Sequence, residues 1–177
     1  MGGVDSVPQV NEADQNSTEE TQNMEWVNFL GELIHETTSM KVWPKALKKN
    51  ARVSASIETE ERKWVVWKSD SSFHVVFGVP HCKDPKKYFY MKPSKRSKIR
   101  DLKFKLGIGN DPTKNPPGEM DKRVFVMEYN PKNGKNVLRH LRTNKYLFLT
   151  ESGKLDMSKN EEKASRWEIT GGARSTN

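Results

Sequence analysis

The sequence predicts an all-β protein of about ten to twelve short antiparallel strands that close into a barrel, on three observations. Between residues 51 and 170, apolar residues recur with a period of two rather than with the period of 3.6 that a helix requires. The apolar segments are short, and connections rich in glycine, serine, asparagine or aspartate separate them. Residues 136–169 gather three such segments, two polar connections and a closing aromatic residue, Trp167, into one compact unit.

This compact unit begins with a strand that includes Val137 and continues with a hairpin. The dense apolar run at residues 146–149 is the first strand of the hairpin, and Gly153 occupies its turn because glycine adopts a positive φ without steric cost. Alternating apolar and polar residues at 155–157 and again at 167–169 predict the two strands that follow. Each of these strands buries only one face.

The strands ahead of this unit follow from the same alternation. They are predicted at residues 53–57, 63–68, 73–79, 88–91, 102–106 and 123–129. Residues 107–118 hold three prolines and three glycines, and this composition predicts a long exposed loop.

One amphipathic helix is predicted ahead of the barrel, from Glu25 to Glu36, with Asn23 as its cap. Its apolar residues are spaced at i, i+3, i+4, i+7 and i+8, which places them on one helical face. They are Trp26, Phe29, Leu30, Leu33 and Ile34. We expect this face to pack against the β-domain; docking into a groove of a partner protein is the alternative.

Composition divides the chain into four segments. Residues 1–22 contain five acidic residues and no lysine or arginine, which predicts a disordered acidic tail. Residues 23–50 carry the helix and a basic linker, residues 51–170 the β-domain, and residues 171–177 a flexible C-terminus. Without the five tail acids, 18 acidic residues face 31 basic ones, so the remainder carries +13 while the whole chain carries +8. This asymmetry predicts a polyanionic partner, or masking of a basic surface by the tail.

Catalytic chemistry finds no support in the sequence. The four histidines, His35, His74, His81 and His140, share no metal-ligand spacing, and the lone Cys82 excludes an internal disulfide and any multi-cysteine metal site. Adjacent residues on a strand point to opposite faces, so His81 is poorly placed to activate the neighbouring thiol. Phosphate-binding and dinucleotide-binding glycine loops are also missing from the sequence. We therefore expect a protein that is not an enzyme and has no cofactor or metal.

The sequence also bears on localisation. It has no run of about 18 to 20 apolar residues that would span a bilayer, and its beginning lacks the basic start and apolar centre of a signal peptide. A single cysteine fits a reducing compartment. We expect a cytoplasmic or nuclear monomer without a transmembrane segment; secretion without a leader is the alternative.

Cations are concentrated at three places in the sequence. The segment Lys92 to Arg100 contains no acidic residue, and Lys103 and Lys105 continue the series on one face of the next strand. A second group at residues 41–52 flanks the opening of the barrel, and a third surrounds the last hairpin. The predicted ligand-binding residues are Lys92, Lys95, Arg96, Lys98, Arg100, Lys103, Lys105, Arg139, Arg142 and Lys145. The alternative is a solvated surface that only keeps the protein in solution.

The compact unit resembles a repeat of a β-trefoil, in which "G-x-Y-L", "G-x-L" and a late aromatic-x-aliphatic pair recur. The corresponding residues here are Asn144-Lys145-Tyr146-Leu147, Gly153-Lys154-Leu155 and Trp167-Glu168-Ile169. Residues 122–129, together with those from Asn136 onward, resemble the ending of the interleukin-1 and fibroblast growth factor superfamily. This resemblance implies a pseudo-threefold fold and a cytokine-like ligand. Such a ligand would bind a receptor ectodomain or a glycan like heparan sulfate through its basic surface.

Two other functions use the same surface. The repeat motifs also resemble fascin-like trefoils, and hisactophilin is a further trefoil of this kind; this resemblance implies an intracellular protein that binds actin. Nucleic acid or acidic lipid would likewise bind the cations, with a strong dependence on salt. For nucleic acid, Tyr88 and Tyr90 are the candidate stacking residues.

Overall fold

The computed structural model describes residues 25–70, 72–94 and 103–171. The strands in these residues are β1 (Trp26–Gly31), β2 (Leu33–His35), β3 (Lys41–Pro44), β4 (Arg52–Ser56), β5 (Trp64–Ser69), β6 (His74–Pro80), β7 (Tyr88–Ser94), β8 (Lys103–Gly107), β9 (Phe125–Asn130), β10 (Lys135–His140), β11 (Lys145–Leu149), β12 (Leu155–Ser158) and β13 (Trp167–Ile169). A short 3₁₀ helix spans Glu161–Lys163. The predictions for residues 1–22 and 172–177 lie outside the described residues.

The all-β prediction is confirmed. Ten strands, β4 to β13, lie between residues 51 and 170, and every pairing among the described strands is antiparallel. The predicted hairpin is β11–β12, and Gly153 in its turn has a φ of +82°. Residues 108–124, all of which are described, contain no strand and form the predicted loop.

The predicted helix at residues 25–36 is wrong, because these residues form β1 and β2 with Glu32 between them. Strand β1 pairs with β5, and β2 pairs with β13. Trp26 and Leu33 are both buried, but in two separate apolar clusters, whereas Leu30 is 59% exposed. Glu32 breaks the strand, and the alternation of buried and exposed side chains is shifted after it. The two strand segments therefore bury opposite faces, and the spacing of their apolar residues along the sequence resembles the apolar stripe of a helix. The sheet therefore includes residues that the sequence analysis assigned to a helical segment ahead of the β-domain.

A barrel and three hairpins make up the fold. The barrel consists of β1, β2, β5, β6, β9, β10 and β13. Strand β1 pairs with β5, β5 with β6, β6 with β9, and β9 with β10. Strand β10 packs beside β13, which pairs with β2. The hairpins are β3–β4, β7–β8 and β11–β12. Their second strands, β4, β8 and β12, contact one another, so the three hairpins meet at one end of the barrel.

Three units of four strands repeat along the chain: β2 to β5, β6 to β9 and β10 to β13. The first and third units share the hydrogen bond of a buried tryptophan. In the first, the Trp64 indole N–H donates to the Val42 carbonyl at 2.8 Å, and in the third, Trp167 donates to the Leu147 carbonyl at 3.1 Å. Buried Phe125 stands in the last strand of the second unit.

The same two units also share the turn after their first strand. His35 Nδ1 lies 2.7 Å from Thr38 Oγ1, and His140 Nδ1 lies 2.7 Å from Thr143 Oγ1. The residue after each threonine has a positive φ, 64° in the first unit and 58° in the third. The first and third units therefore correspond in specific side-chain contacts as well as in strand order.

A second apolar cluster lies apart from the barrel core. Its buried residues are Trp26, Val65, Trp67, Val76, Tyr90 and Val124. Alternate residues of β5 point into the core and into this cluster, so β5 is buried on both faces. Arg123 covers the cluster, with its guanidinium carbon 4.3 Å from the centre of the Tyr90 ring.

Candidate functional site

Three cations form a row across three neighbouring strands. In the β4–β8 ladder, Arg52 lies opposite Lys105, and in the β7–β8 ladder, Lys92 lies opposite the same Lys105. Directly opposed residues of antiparallel strands project from the same face, with Cβ atoms about 4.5–5.5 Å apart. We call Arg52, Lys105 and Lys92 the cationic row.

The described residues compensate the charge of the cationic row only in part, since the Lys92 charge acts on the Asp121 carboxylate and helps to lower its pKa. All three side chains belong to partly exposed residues, and none of them forms a salt bridge with a described carboxylate. The Lys92 side chain lies over Gly107, where a Cβ atom would sit 2.8 Å from its Nζ. Like charges placed directly opposite destabilise a sheet, so this arrangement carries a cost in folding free energy.

Replacing Lys105 with glutamine should therefore stabilise the fold at low salt. We expect the free energy of unfolding to rise by about 0.2–1 kcal/mol, because the substitution relieves repulsion from both Arg52 and Lys92. The gain should shrink at 1 M NaCl, where the Debye length is about 3 Å. Urea unfolding at the two salt concentrations measures this. The control Lys86→Gln, at an exposed site between β6 and β7, should change the free energy of unfolding little at either salt concentration. If Lys105→Gln is no more stable than wild-type at low salt, the repulsion is contradicted.

The predicted binding residues on β7, on β8 and between them fall into three groups. Lys92 and Lys105 belong to the cationic row. Lys103 lies in β8 opposite Ser94, and its side chain is not described. Four of the predicted residues lie outside the described residues: Lys95, Arg96, Lys98 and Arg100.

The three predicted cations of the last hairpin lie on β10, on β11 and in their connection. The Arg139 guanidinium is engaged, since its Nε donates to Glu128 Oε1 at 2.9 Å. Arg142 is exposed and Lys145 is half-buried. Burial lowers the pKa of His140, and the charges of Arg142 and Lys145 lower it further. Strand pairing does not bring these cations into the cationic row.

Arg52 was not among the predicted binding residues, although it belongs to the basic group at residues 41–52. The missing information was the pairing of β4 with β8, which brings residue 52 opposite residue 105. Sequence patterns do not specify the register between strands so distant along the chain.

A groove of about 530 Å³ lies on the β3–β4 hairpin beside the row. Its walls include Lys41, Trp43, Lys45 and Arg62. Lys45 forms no salt bridge with a described carboxylate, and its backbone N–H donates to the Arg52 carbonyl at 2.8 Å. The groove therefore combines an available cation with an aromatic surface next to the cationic row.

Two other groove cations are already paired. Lys41 Nζ lies 2.8 Å from a Glu32 carboxylate oxygen, which also accepts the Arg62 backbone N–H at 2.8 Å. Burial alone would raise the pKa of Glu32, but the Arg62 hydrogen bond and the Lys41 ammonium outweigh it and lower that pKa. The Arg62 guanidinium lies 3.3 Å from a carboxylate oxygen of Glu58. Lys45 is thus the groove cation most available to a ligand.

Metal ligands, membrane-spanning helices and the cysteine were further features that a functional site could use. The described residues contain no group of three or more His, Cys, Asp or Glu side chains that could hold a metal ion. Within the same residues, no helix has the length and apolar character needed to cross a bilayer. Exposed Cys82 follows His81, whose Nδ1 already accepts the backbone N–H of Lys83 at 3.1 Å.

Several solved structures are similar to this one. A mosquitocidal holotoxin matches 82% of the chain with a TM-score of 0.60 and 14% identity, and the match spans only 17% of that toxin. SeviL, solved bound to asialo-GM1 saccharide, matches 82% of the chain over 99% of its own length, with a TM-score of 0.52 and 12% identity. An interleukin-1 beta variant from Gallus matches 83% over 99% of its length, with a TM-score of 0.55 and 8% identity. The fold is a β-trefoil.

The β-trefoil assignment confirms the resemblance found in the sequence. At identities of 8–14%, the likeness to these proteins concerns the fold alone. No protein family matches the sequence, and no curated protein sequence is similar to it.

Proposed function

We propose that this trefoil is a non-catalytic binding protein that recognises a sulfated, polyanionic glycan through the cationic row. The observation that carries the proposal is the placement of Arg52, Lys105 and Lys92 in cross-strand register without a salt bridge to a described carboxylate. A chain with repeated sulfate groups would relieve their mutual repulsion and release bound counterions. Binding should therefore weaken steeply as salt is added.

Features beside the row support a glycan as the ligand. Lys45 adds a cation in the neighbouring groove, and the Trp43 ring there offers an apolar surface to the face of a sugar. In the sequence, the segment that joins β7 to β8 carries four more cations and one acidic residue, Asp101. An acidic receptor surface would meet the same charges, but the groove and its aromatic side chain favour a saccharide.

Chromatography on heparin tests the proposal. The intact protein should elute from heparin at a higher NaCl concentration than from a sulfonated cation exchanger of matched charge density. The triple variant Arg52→Gln, Lys92→Gln, Lys105→Gln should elute earlier from heparin. In a titration, its plot of log Kd against log salt should become shallower by roughly one for each cation removed, as for other polyanions.

A second triple variant of equal charge serves as the control. Lys83→Gln, Lys86→Gln, Lys87→Gln changes three exposed lysines in the β6–β7 connection and should leave the heparin preference largely intact. Equal losses in both triple variants would show that only net charge matters. Equal retention on the two columns, or equal displacement by DNA and heparin, would overturn recognition of a sulfated glycan.

A further inference from the structure

A second cleft, of about 360 Å³, lies at β9, β10, β11 and the 3₁₀ helix. These elements do not include the strands of the cationic row. We call it the tyrosine cleft, and its polar lining consists of Glu128, Tyr129, Asn130, Lys132, Tyr146 and Glu161.

Strand register explains how the tyrosine cleft is built. Glu128 on β9 lies opposite Val137 on β10, and Arg139 on β10 lies opposite Tyr146 on β11, so these side chains share one face of the sheet. Val137 is buried and forms an apolar floor. Tyr129 is adjacent to Glu128 on β9, so its side chain projects from the opposite face of the strand, and it is 63% exposed.

The charges of the tyrosine cleft are balanced, unlike those of the cationic row. The Glu128 carboxylate accepts Arg139 Nε at 2.9 Å, and Glu161 Oε1 accepts Asn130 Nδ2 at 3.1 Å. Lys132 adds a positive charge to the same lining. A polyanion would meet two carboxylates here, whereas a cation would meet carboxylates that are already engaged and a lysine beside them.

Unused hydrogen-bonding capacity and apolar surface remain. The Tyr129 and Tyr146 hydroxyls form no hydrogen bond with described residues, and Glu161 Oε2 accepts none from them. Burial raises the pKa of Tyr146, and the Glu161 and Glu128 charges raise it further, so this phenol keeps its proton at neutral pH. The cleft therefore offers hydroxyl donors, carboxylate acceptors and aromatic surface together.

We propose that the tyrosine cleft binds one ring of a neutral saccharide. A pyranose has apolar C–H faces, which suit contact with the Tyr146 ring, and hydroxyl groups, which donate to carboxylates and accept from the phenol. Uncharged hydroxyls require neither the charge excess of the cationic row nor a dry, enclosed pocket. The inference is independent of the glycan proposed for the row, because the two sites differ in strands and in charge.

Saturation-transfer NMR on the intact chain tests this proposal. The probes are the methyl pyranosides of glucose, galactose, mannose and N-acetylglucosamine, at millimolar concentration in 0.5 M NaCl, where binding to the cationic row is suppressed. We expect at least one probe to receive saturation. Tyr146→Ala should weaken its binding about tenfold or more, since this removes the aromatic contact. Glu161→Gln should weaken it by a smaller factor.

Two variants separate the tyrosine cleft from other effects. Phe73→Ala removes an exposed aromatic side chain elsewhere, and Lys105→Gln alters the cationic row; both should retain sugar binding. Far-UV circular dichroism checks that every variant is folded. Absence of saturation for all four sugars, equal binding by wild-type and Tyr146→Ala, or preferential binding of the cation n-butylammonium over the sugars would each overturn the proposal.

Discussion

Replacing Trp167 with alanine should lower the free energy of unfolding by about 3–5 kcal/mol, as expected for deletion of a large buried aromatic side chain. Trp167 is fully buried, packs in the barrel core and donates its indole N–H to the Leu147 carbonyl at 3.1 Å. Alanine would leave a cavity and a buried carbonyl that has lost a donor. The change in midpoint of a urea unfolding curve, with its slope, measures the loss.

A second substitution at the same position separates packing from the hydrogen bond. Trp167→Phe keeps most of the aromatic volume, and the last strand of the second unit already carries a buried phenylalanine, Phe125. The loss in free energy of unfolding should therefore be clearly smaller than for Trp167→Ala. Tyr129→Ala, at an exposed tyrosine, should cost less than about 0.5 kcal/mol. If Trp167→Ala cost no more than Tyr129→Ala, the last strand would not close the barrel core as described.

The last unit was predictable because its signals are local. A dense β-prone run ends at Leu149, a glycine with positive φ forms the turn, and Leu155 begins a strand four residues beyond Glu151. Trp167 and Ile169 alternate with polar residues in the final strand. Neighbouring residues thus determine both the strands and their pairing, so a sequence pattern carries the information.

The beginning of the described chain shows why local patterns can fail. Trp26 in β1 is buried in the second apolar cluster, and Leu33 in β2 is buried in the barrel core. Glu32 interrupts the strand between them. Two buried faces and one interruption produce a spacing close to that of an amphipathic helix. Only pairing with β5 and β13, which are distant in sequence, stabilises these residues as strands.

The candidate sites depend even more than β1 and β2 do on pairing between strands that are distant in sequence. Composition indicated a basic surface, but the cationic row exists because β8 lies between β4 and β7. The tyrosine cleft joins residues 128–132 to Tyr146 and Glu161 across three strands and a 3₁₀ helix. Nothing near Glu161 in the sequence indicates that a tyrosine lies beside it.

The second apolar cluster, around Trp67 and Tyr90, is covered by an ion pair, and removing this pair should have the second large effect on stability. Arg123 is buried, and its Nη2 and Nε lie 2.8 and 3.0 Å from the two carboxylate oxygens of Asp121. Its Nη1 donates to the Asn110 carbonyl at 2.7 Å, which ties the loop after β8 to this site. The guanidinium therefore holds the loop against the Tyr90 ring.

Asp121→Asn should destabilise the protein by about 3 kcal/mol at pH 7, because it leaves the Arg123 cation buried without a carboxylate. The Asp121 side chain is 20% exposed, and some solvation of the cation keeps this figure at the lower end of the range for buried pairs. Thermal or urea unfolding measures the loss. Asp70→Asn, at an exposed aspartate, is the matched control and should have little effect.

The same pair predicts how the loss depends on pH. Burial alone would raise the pKa of Asp121, but hydrogen bonds from Arg123 and its charge outweigh burial and lower that pKa. A carboxyl group with a lowered folded pKa contributes stability above its unfolded pKa, about 3.9 for aspartate, and loses it as pH falls through the folded value. The stability difference between wild-type and Asp121→Asn should therefore be constant from pH 7 to about 5 and shrink below about 4. A difference that persists undiminished at pH 2 would mean that lost packing, rather than the carboxylate charge, causes the destabilisation.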